Sequence, residues 1–171
     1  MAGNLEFITS ASGTSVAEVN VTNCFSADYD VYKIVITNFQ TSSADNLAIR
    51  MINSSGTIVT DSNYDKATQV LRSYNTFQSD RFTNISFFFQ MGDNNANTNG
   101  IGETIYIFNP FSSSSYTFLN QQEASVISAG FKGYKGIGVL KQAVSMTGIS
   151  FYTNGTSTMD FNASIYGLAS N

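Results

Sequence analysis

The chain has 171 residues, of which Ser, Thr and Asn supply 58 and Phe and Tyr supply 23, while charged residues make up only 12%. It contains no His and no Trp, which excludes His-based catalytic triads and His metal sites. The single Cys24 cannot form an intrachain disulfide and is interpreted as a small buried hydrophobic residue. The formal charge of −4 argues against a general nucleic-acid-binding protein, since such proteins are usually basic.

Alternating apolar residues predict short strands through the first half of the chain. The predicted strands cover residues 5–7, 19–21, 31–37 and 47–51, and Ser54-Ser55-Gly56 reads as a hairpin turn. Residues 63–74 are ambiguous because their apolar positions have helical spacing. The all-β context favours an irregular strand there.

The second half continues the same pattern. Ile85, Phe87, Phe89 and Met91 are predicted to face the core, with Phe88 on the opposite side of the strand. After a polar loop over 92–102, further strands are predicted at 104–108, 116–119 and 137–140. Asn154-Gly155 is a strong two-residue hairpin signal and should join a strand at 149–152 to its partner at 158–166.

Ten to twelve short strands with regular turns predict one all-β domain over residues 1–171, an antiparallel β-sandwich of jelly-roll type. The start of the chain lacks a basic segment followed by an apolar run, so no secretory signal is predicted. No stretch approaches the ~18–20 apolar residues of a membrane span. The sequence therefore predicts a protein that is made and folded in a reducing cytoplasm without membrane insertion.

The sequence predicts no catalytic, cofactor or metal site. Glu103 and Glu123 are carboxylates of the kind that glycoside hydrolysis requires, but they have no telling spacing. A hydrolase therefore stays only as a third alternative, because carboxylate pairs are not visible in sequence. The loop over 93–100 has oxygen ligands in the alternation of a calcium loop, yet Thr98 and Thr104 occupy the positions of the required Gly and Glu. An exposed hairpin loop is the favoured interpretation.

Aromatic and basic residues suggest contacts with other subunits. Phe88 is expected on the side away from the core, so either both faces of its strand are covered or it lies in a subunit contact. Residues 124–159 contain no carboxylate and carry a small basic-aromatic patch, for which a solvated loop is the plainer interpretation. The candidate assembly contacts are Phe88, Pro110, Phe111, Lys132, Tyr134 and Lys135.

Several local strings resemble one known family. They are LEFITSASGTSV at 5–16, CFSADYDVYK at 24–33, NPF at 109–111 before a serine run, KGYKGIGVLK at 132–141 and IYGL at 165–168. In this order they resemble small structural proteins of marine tailed phages, such as cyanophages, and they span nearly the whole chain.

The resemblance implies a non-enzymatic virion protein on the particle exterior, made in the host cytoplasm, most directly a capsid decoration or knob protein. The alternative is a tail-fibre or receptor-binding module that recognises a bacterial surface glycan through Tyr134, Tyr64 and the loop over 93–99. The expected partners are capsid or tail proteins and copies of the chain itself. Analogy with phage surface proteins suggests a trimer.

Overall fold

The computed structural model describes residues 4–95 and 101–169, apart from the side chains of Asn94 and Asn95. This part of the chain forms strands and connecting turns, without a helix. The strands are β1 Leu5–Val16, β2 Glu18–Val21, β3 Val31–Thr41, β4 Ala44–Asn53, β5 Tyr64–Arg72, β6 Gln78–Ile85, β7 Phe88–Asn95, β8 Ile101–Phe108, β9 Thr117–Ile127, β10 Gly130–Leu140, β11 Met146–Thr153 and β12 Met159–Leu168.

The strands form two antiparallel sheets that pack face to face. The large sheet has eight strands in the order β1-β12-β3-β8-β9-β10-β5-β6, and the small sheet has four in the order β2-β11-β4-β7. One hydrophobic cluster joins them, and the rings of Phe151 on β11 and Phe161 on β12 lie 4.8 Å apart within it. The prediction of an all-β antiparallel sandwich is confirmed.

The predicted hairpin at Asn154-Gly155 is wrong. β11 belongs to the small sheet and β12 to the large one, so this turn carries the chain from one sheet to the other. The backbone N–H of Asn154 donates to the Asn46 carbonyl at 3.0 Å, and that of Gly155 donates to the Asp45 carboxylate at 3.0 Å. The turn is therefore held by β4, and each flanking strand pairs elsewhere in its own sheet.

The segment from Ile85 to Met91 is not the single strand that its alternation predicted. β6 ends at Ile85 in the large sheet and β7 begins at Phe88 in the small sheet. Crossing between the sheets breaks the period-two alternation and turns Phe88 into the core. Its side chain is fully buried, with its ring centroid 4.9 Å from that of Tyr64.

The ambiguous segment after residue 63 is a strand, β5, which pairs with β10. The basic stretch predicted as a loop also lies in a strand, because β10 begins at Gly130 and pairs with β9 from its first residue. Its glycines make room for the core. A Cβ at Gly138 would lie 2.8 Å from Cε1 of Phe88, and one at Gly136 would lie 3.2 Å from Cε of Lys66.

Candidate functional site

The outward face of the large sheet carries a continuous row of apolar side chains. The antiparallel register places six of them side by side across six strands, which we call the apolar row: Leu5, Leu168, Val31, Phe108, Phe118 and Val139. Leu5, Phe118 and Leu168 are 46%, 44% and 38% exposed, and the others are half-buried. The outward face of an antiparallel sheet is usually polar, so a row of this kind indicates a contact surface.

Beside the apolar row, the same face forms a groove of about 1070 Å³. Its floor consists of two further cross-strand rows. One row runs from Lys33 through Tyr106, Asn120, Ile137 and Ala67 to Arg81, and the other contains Thr104, Gln122, Lys135, Gln69 and Ser79. We call this surface the outer groove. It offers amides, hydroxyls, one aromatic ring and three cations to a ligand.

Buried polar groups lie under the outer groove, on the inward side of the same strands. Lys66 donates from Nζ to the carbonyls of Phe89 and Gln90, both at 2.6 Å. Gln121 donates from Nε2 to the carbonyls of Gln90 and Met91, at 3.1 and 2.8 Å. These carbonyls would be costly to bury without donors, so the two side chains bind β7 to the large sheet.

A second group of contacts binds the far end of β7. The Lys132 ammonium forms an ion pair with the Asp93 carboxylate and lies 4.8 Å from the centroid of the Tyr134 ring. The Tyr134 hydroxyl also donates to Asp93 Oδ2, at 3.2 Å. Lys132 and Tyr134 are therefore structural residues of the interior.

Two carboxylates, Glu103 on β8 and Glu123 on β9, lie directly opposite each other in this interior. Burial, reinforced by the charge of Glu123, holds the pKa of Glu103 well above its ordinary value, although Lys66 opposes the shift. Burial likewise raises the pKa of Glu123 to about 7, and burial lowers the pKa of Lys66 to about 7. The Tyr134 N–H donates to Glu123 Oε2 at 3.1 Å.

These carboxylates do not form an open catalytic pair. Glu103 is 3% exposed and Glu123 is 4% exposed, so a polysaccharide chain does not reach them. Within the described residues, both carboxylate oxygens of Glu103 and Oε1 of Gln121 are buried without a hydrogen-bond partner. A proton on Glu103 turns this set of acceptors into a donor and an acceptor, which agrees with its raised pKa.

The structure places the predicted contact residues in different environments. Phe88 is core, which corrects its interpretation as a contact, and Pro110, two residues after the end of β8, is also buried. Phe111 is half-buried, and its carbonyl accepts a hydrogen bond from Ser145 Oγ at 2.8 Å. Of the six predicted residues, Lys135 alone is exposed, and it lines the outer groove.

The residues predicted to contact a sugar are also mostly buried or outside the described residues. Tyr64 and Tyr134 are 0% and 2% exposed, so neither ring is open to stack on a sugar. Of the loop over 93–99, Asp93 lies in β7 and residues 96–99 fall outside the described residues, as does most of the calcium-like loop. Cys24 is buried as predicted, and burial raises the pKa of its thiol to about 12.

Sequence reasoning missed Lys33, Tyr106 and Arg81 as groove residues. Each occupies an outward position of an alternating strand, which is a signal that the sequence contains. Their convergence depends on the strand order β3-β8-β9-β10-β5-β6, which local alternation does not specify.

No group of three or more His, Cys, Asp or Glu side chains suited to a metal ion occurs in residues 4–95 and 101–169. The same residues include no helix long and apolar enough to cross a membrane. The sequence matches no protein-family model and no curated protein.

Proposed function

We propose that the chain is a non-enzymatic structural protein on the exterior of a phage particle, a capsid decoration or knob protein that docks through the apolar row. The observation that carries the proposal is the row itself, six apolar side chains in register on an outward sheet face. The resemblance of the sequence to phage structural proteins is the reason for proposing a phage particle as the partner.

The energetics of the row favour burial against another protein. Complete transfer of a Leu or Phe side chain from water to an apolar contact is worth about 1.5–3 kcal/mol. Leu5, Phe118 and Leu168 each have a sizeable exposed fraction left to bury. With only 12% charged residues in the chain, little electrostatic repulsion opposes close packing against a coat-protein surface or between copies of the chain.

The copy number in purified particles tests the proposal. Quantitative mass spectrometry against the major coat protein should give a copy number of the same order as the coat protein. A small copy number that matches the symmetry of the tail would instead indicate a component of a tail fibre or tail knob. Absence from the particle would contradict a virion role.

Phe118→Asp should abolish docking without unfolding the protein. The substitution places a charge between Phe108 and Val139 in the apolar row, where desolvating it against a partner is costly. Because Phe118 is 44% exposed in the single chain, its removal should cost the fold only about 1 kcal/mol. The measurement is the amount of recombinant variant that binds to phage particles from which this protein is missing. The midpoint of urea unfolding of the variant is measured as well.

Gln122→Asp is the matched control, since it adds the same charge on the same face of β9, two rows away from Phe118. The control should bind particles as the wild type does. Equal loss of binding in both variants would show that added charge anywhere on the face prevents docking, and the apolar row would lose its assigned role.

A second function, recognition of a bacterial surface glycan, is favoured by the outer groove. The groove combines the Tyr106 ring, 37% exposed, with the side-chain amides of Asn120 and Gln122. A flat ring surface and amides able to both donate and accept suit sugar rings and their hydroxyls. This function is an alternative to the first for the same sheet face, because the Tyr106 ring stacks on Phe108 of the apolar row with the ring centroids 6.5 Å apart.

A further inference from the structure

The cations of this chain are distributed unevenly between structural and free positions. Hydrogen bonds or ion pairs to carbonyls, carboxylates or an amide hold five of the eight Lys and Arg residues, namely Lys66, Lys132, Lys141, Arg50 and Arg72. The other three are Lys33, Arg81 and Lys135, and all of them line the outer groove. Across residues 4–95 and 101–169, none of the three forms an ion pair with a carboxylate.

The three cations outnumber the two carboxylates, Asp80 and Glu123, that line the same groove. Glu123 is buried beneath the sheet, where it accepts the Tyr134 N–H. Asp80, at the rim, already accepts hydrogen bonds from Gln78 Nε2 at 2.7 Å and from Gln90 Nε2 at 3.3 Å. The outer groove is therefore cationic in a protein whose formal charge is −4, which favours an anionic ligand.

The spacing of the cations indicates an extended ligand. Lys33 and Arg81 end the same cross-strand row, five strand intervals apart, which is roughly 24 Å along the sheet. Lys135 lies between them on β10. A single small anion cannot reach all three positions, whereas a chain with repeated negative groups can.

The position of the groove favours a polysaccharide over a peptide. The groove ends at the edge strand β6, but most of its floor lies on β3, β8, β9, β10 and β5, which each pair with a strand on both sides and so use their backbone N–H and C=O groups in the ladders. An extended peptide therefore cannot gain the main-chain hydrogen bonds that it makes at a sheet edge. The exposed Tyr106 ring and the amides of Asn120 and Gln122 instead suit rings with many hydroxyls.

We infer that the outer groove binds an anionic, carboxylate-bearing polysaccharide of a bacterial surface, an inference that rests on the second proposed function. Lys33, Lys135 and Arg81 bind carboxylates at three separate points along the chain of sugars. Tyr106 stacks on one sugar ring beside Lys33, whose ammonium lies 5.9 Å from the ring centroid.

The first test is a calorimetric titration of the full chain with hexagalacturonate. The same titration with isomaltohexaose, a neutral oligosaccharide, is the comparison. We expect hexagalacturonate to bind about tenfold more tightly than the neutral sugar, because each exposed ion pair contributes modestly. Affinity for hexagalacturonate should fall as salt is raised to physiological ionic strength.

The possible outcomes distinguish failure of this inference from failure of the proposed glycan recognition. Equal affinity for the two sugars would overturn the anionic class and leave glycan recognition standing. Failure of both sugars to bind would overturn the inference and glycan recognition together. Tighter binding of a hexaglutamate peptide than of hexagalacturonate would overturn the polysaccharide assignment and make an acidic protein segment the ligand.

Variants then locate the site. Lys135→Gln and Arg81→Gln should each weaken hexagalacturonate binding about 2–5-fold, and their combination should weaken it further. Lys141→Gln is the matched control, because Lys141 pairs with Asp65 outside the groove. Equal weakening by the control would show a diffuse charge effect and would remove the site from the outer groove. Circular dichroism of each variant confirms that the fold is retained.

Discussion

Phe88→Ala is expected to destabilise the fold by about 3–5 kcal/mol, which is a large part of the total stability of a typical domain. The side chain is fully buried, contacts the edge of the Tyr64 ring and fills the space left open by Gly138. Removing it leaves a cavity between the two sheets, since the Tyr64 ring is held by the hydrogen bonds of its hydroxyl to Met51 and Val59 and Gly138 has no side chain. The measurement is the free energy of unfolding in urea, with tyrosine fluorescence as the signal.

Phe89→Ala is the control for this prediction. Phe89 is the next residue along β7 and is only half-buried, with its ring centroid 5.1 Å from that of Phe82. Alternation in the sequence assigns Phe89 to the core and Phe88 to the outside, while the structure reverses this order. If Phe89→Ala proves the more damaging of the two, the crossing between sheets at Ser86–Phe87 is wrong.

Phe88→Asp separates the two interpretations that the sequence left open. A subunit contact would lose association and keep a folded monomer. The structure predicts an unfolded monomer, because a buried carboxylate at this position has no partner among the apolar side chains around it.

Much of the fold could be predicted from local alternation. β12 shows this well, because Met159, Phe161, Ala163 and Ile165 are buried as the pattern predicts. The strands most easily recognised are those in which every inward residue is apolar. Where the inward residues are polar, as Gln121, Glu123 and Lys132 are, the pattern disappears and the strands were predicted too short or as a loop.

The errors at the turns have a different physical cause. Asn154-Gly155 has the local chemistry of a hairpin, and that chemistry decides the turn but not which sheet each strand joins. The sheet is decided by the faces of β11 and β12 and by Asp45, which lies 110 residues away and accepts the Gly155 N–H. Long-range contacts of this kind leave no signature in a short window of sequence.

The candidate surfaces could be predicted only in part, because they depend on strand order. Lys135 was identified from a basic stretch, but its companions Lys33 and Arg81 lie far from it in sequence. Phe118 and Leu5 likewise join one row only through the pairing of five strands, β1, β12, β3, β8 and β9. Alternation within one uninterrupted strand indicates the face on which a side chain lies, and the sheet topology determines its neighbours.

The buried charges on the inward side of these strands make the stability of the fold depend on pH. Glu123 has its pKa raised by burial from 4.5 to about 7. Below pH 4.5 the group is protonated in both the folded and the unfolded chain, so it does not reduce stability. Between pH 4.5 and 7 the unfolded chain releases this proton more readily, so stability falls; above pH 7 the loss is complete.

Glu123→Gln should remove this loss and leave the fold more stable than the wild type by about 2–3 kcal/mol above pH 7, with little difference at pH 4. Glutamine keeps an oxygen to accept the Tyr134 N–H, and its amide nitrogen can donate to the unpaired Ser125 hydroxyl. The measurement is the free energy of unfolding in urea at a series of pH values. The pH window distinguishes Glu123 from Lys66, because the lowered pKa of Lys66 makes stability rise only between pH 7 and 10.5.

Glu18→Gln makes the same change of charge at an exposed position, keeps an oxygen that can accept the Ser150 hydroxyl, and should follow the wild-type curve. Parallel curves for Glu123→Gln and the wild type would show that Glu123 is as well solvated in the folded chain as in the unfolded one, and the buried cluster would then be open to water. A gain that appears only above pH 4.5 instead shows that these strands keep an uncompensated charge in their interior. Because Gln121 and Lys66 of the same cluster hold the carbonyls of β7, that charge lies where the small sheet is bound to the strands that carry the outer groove.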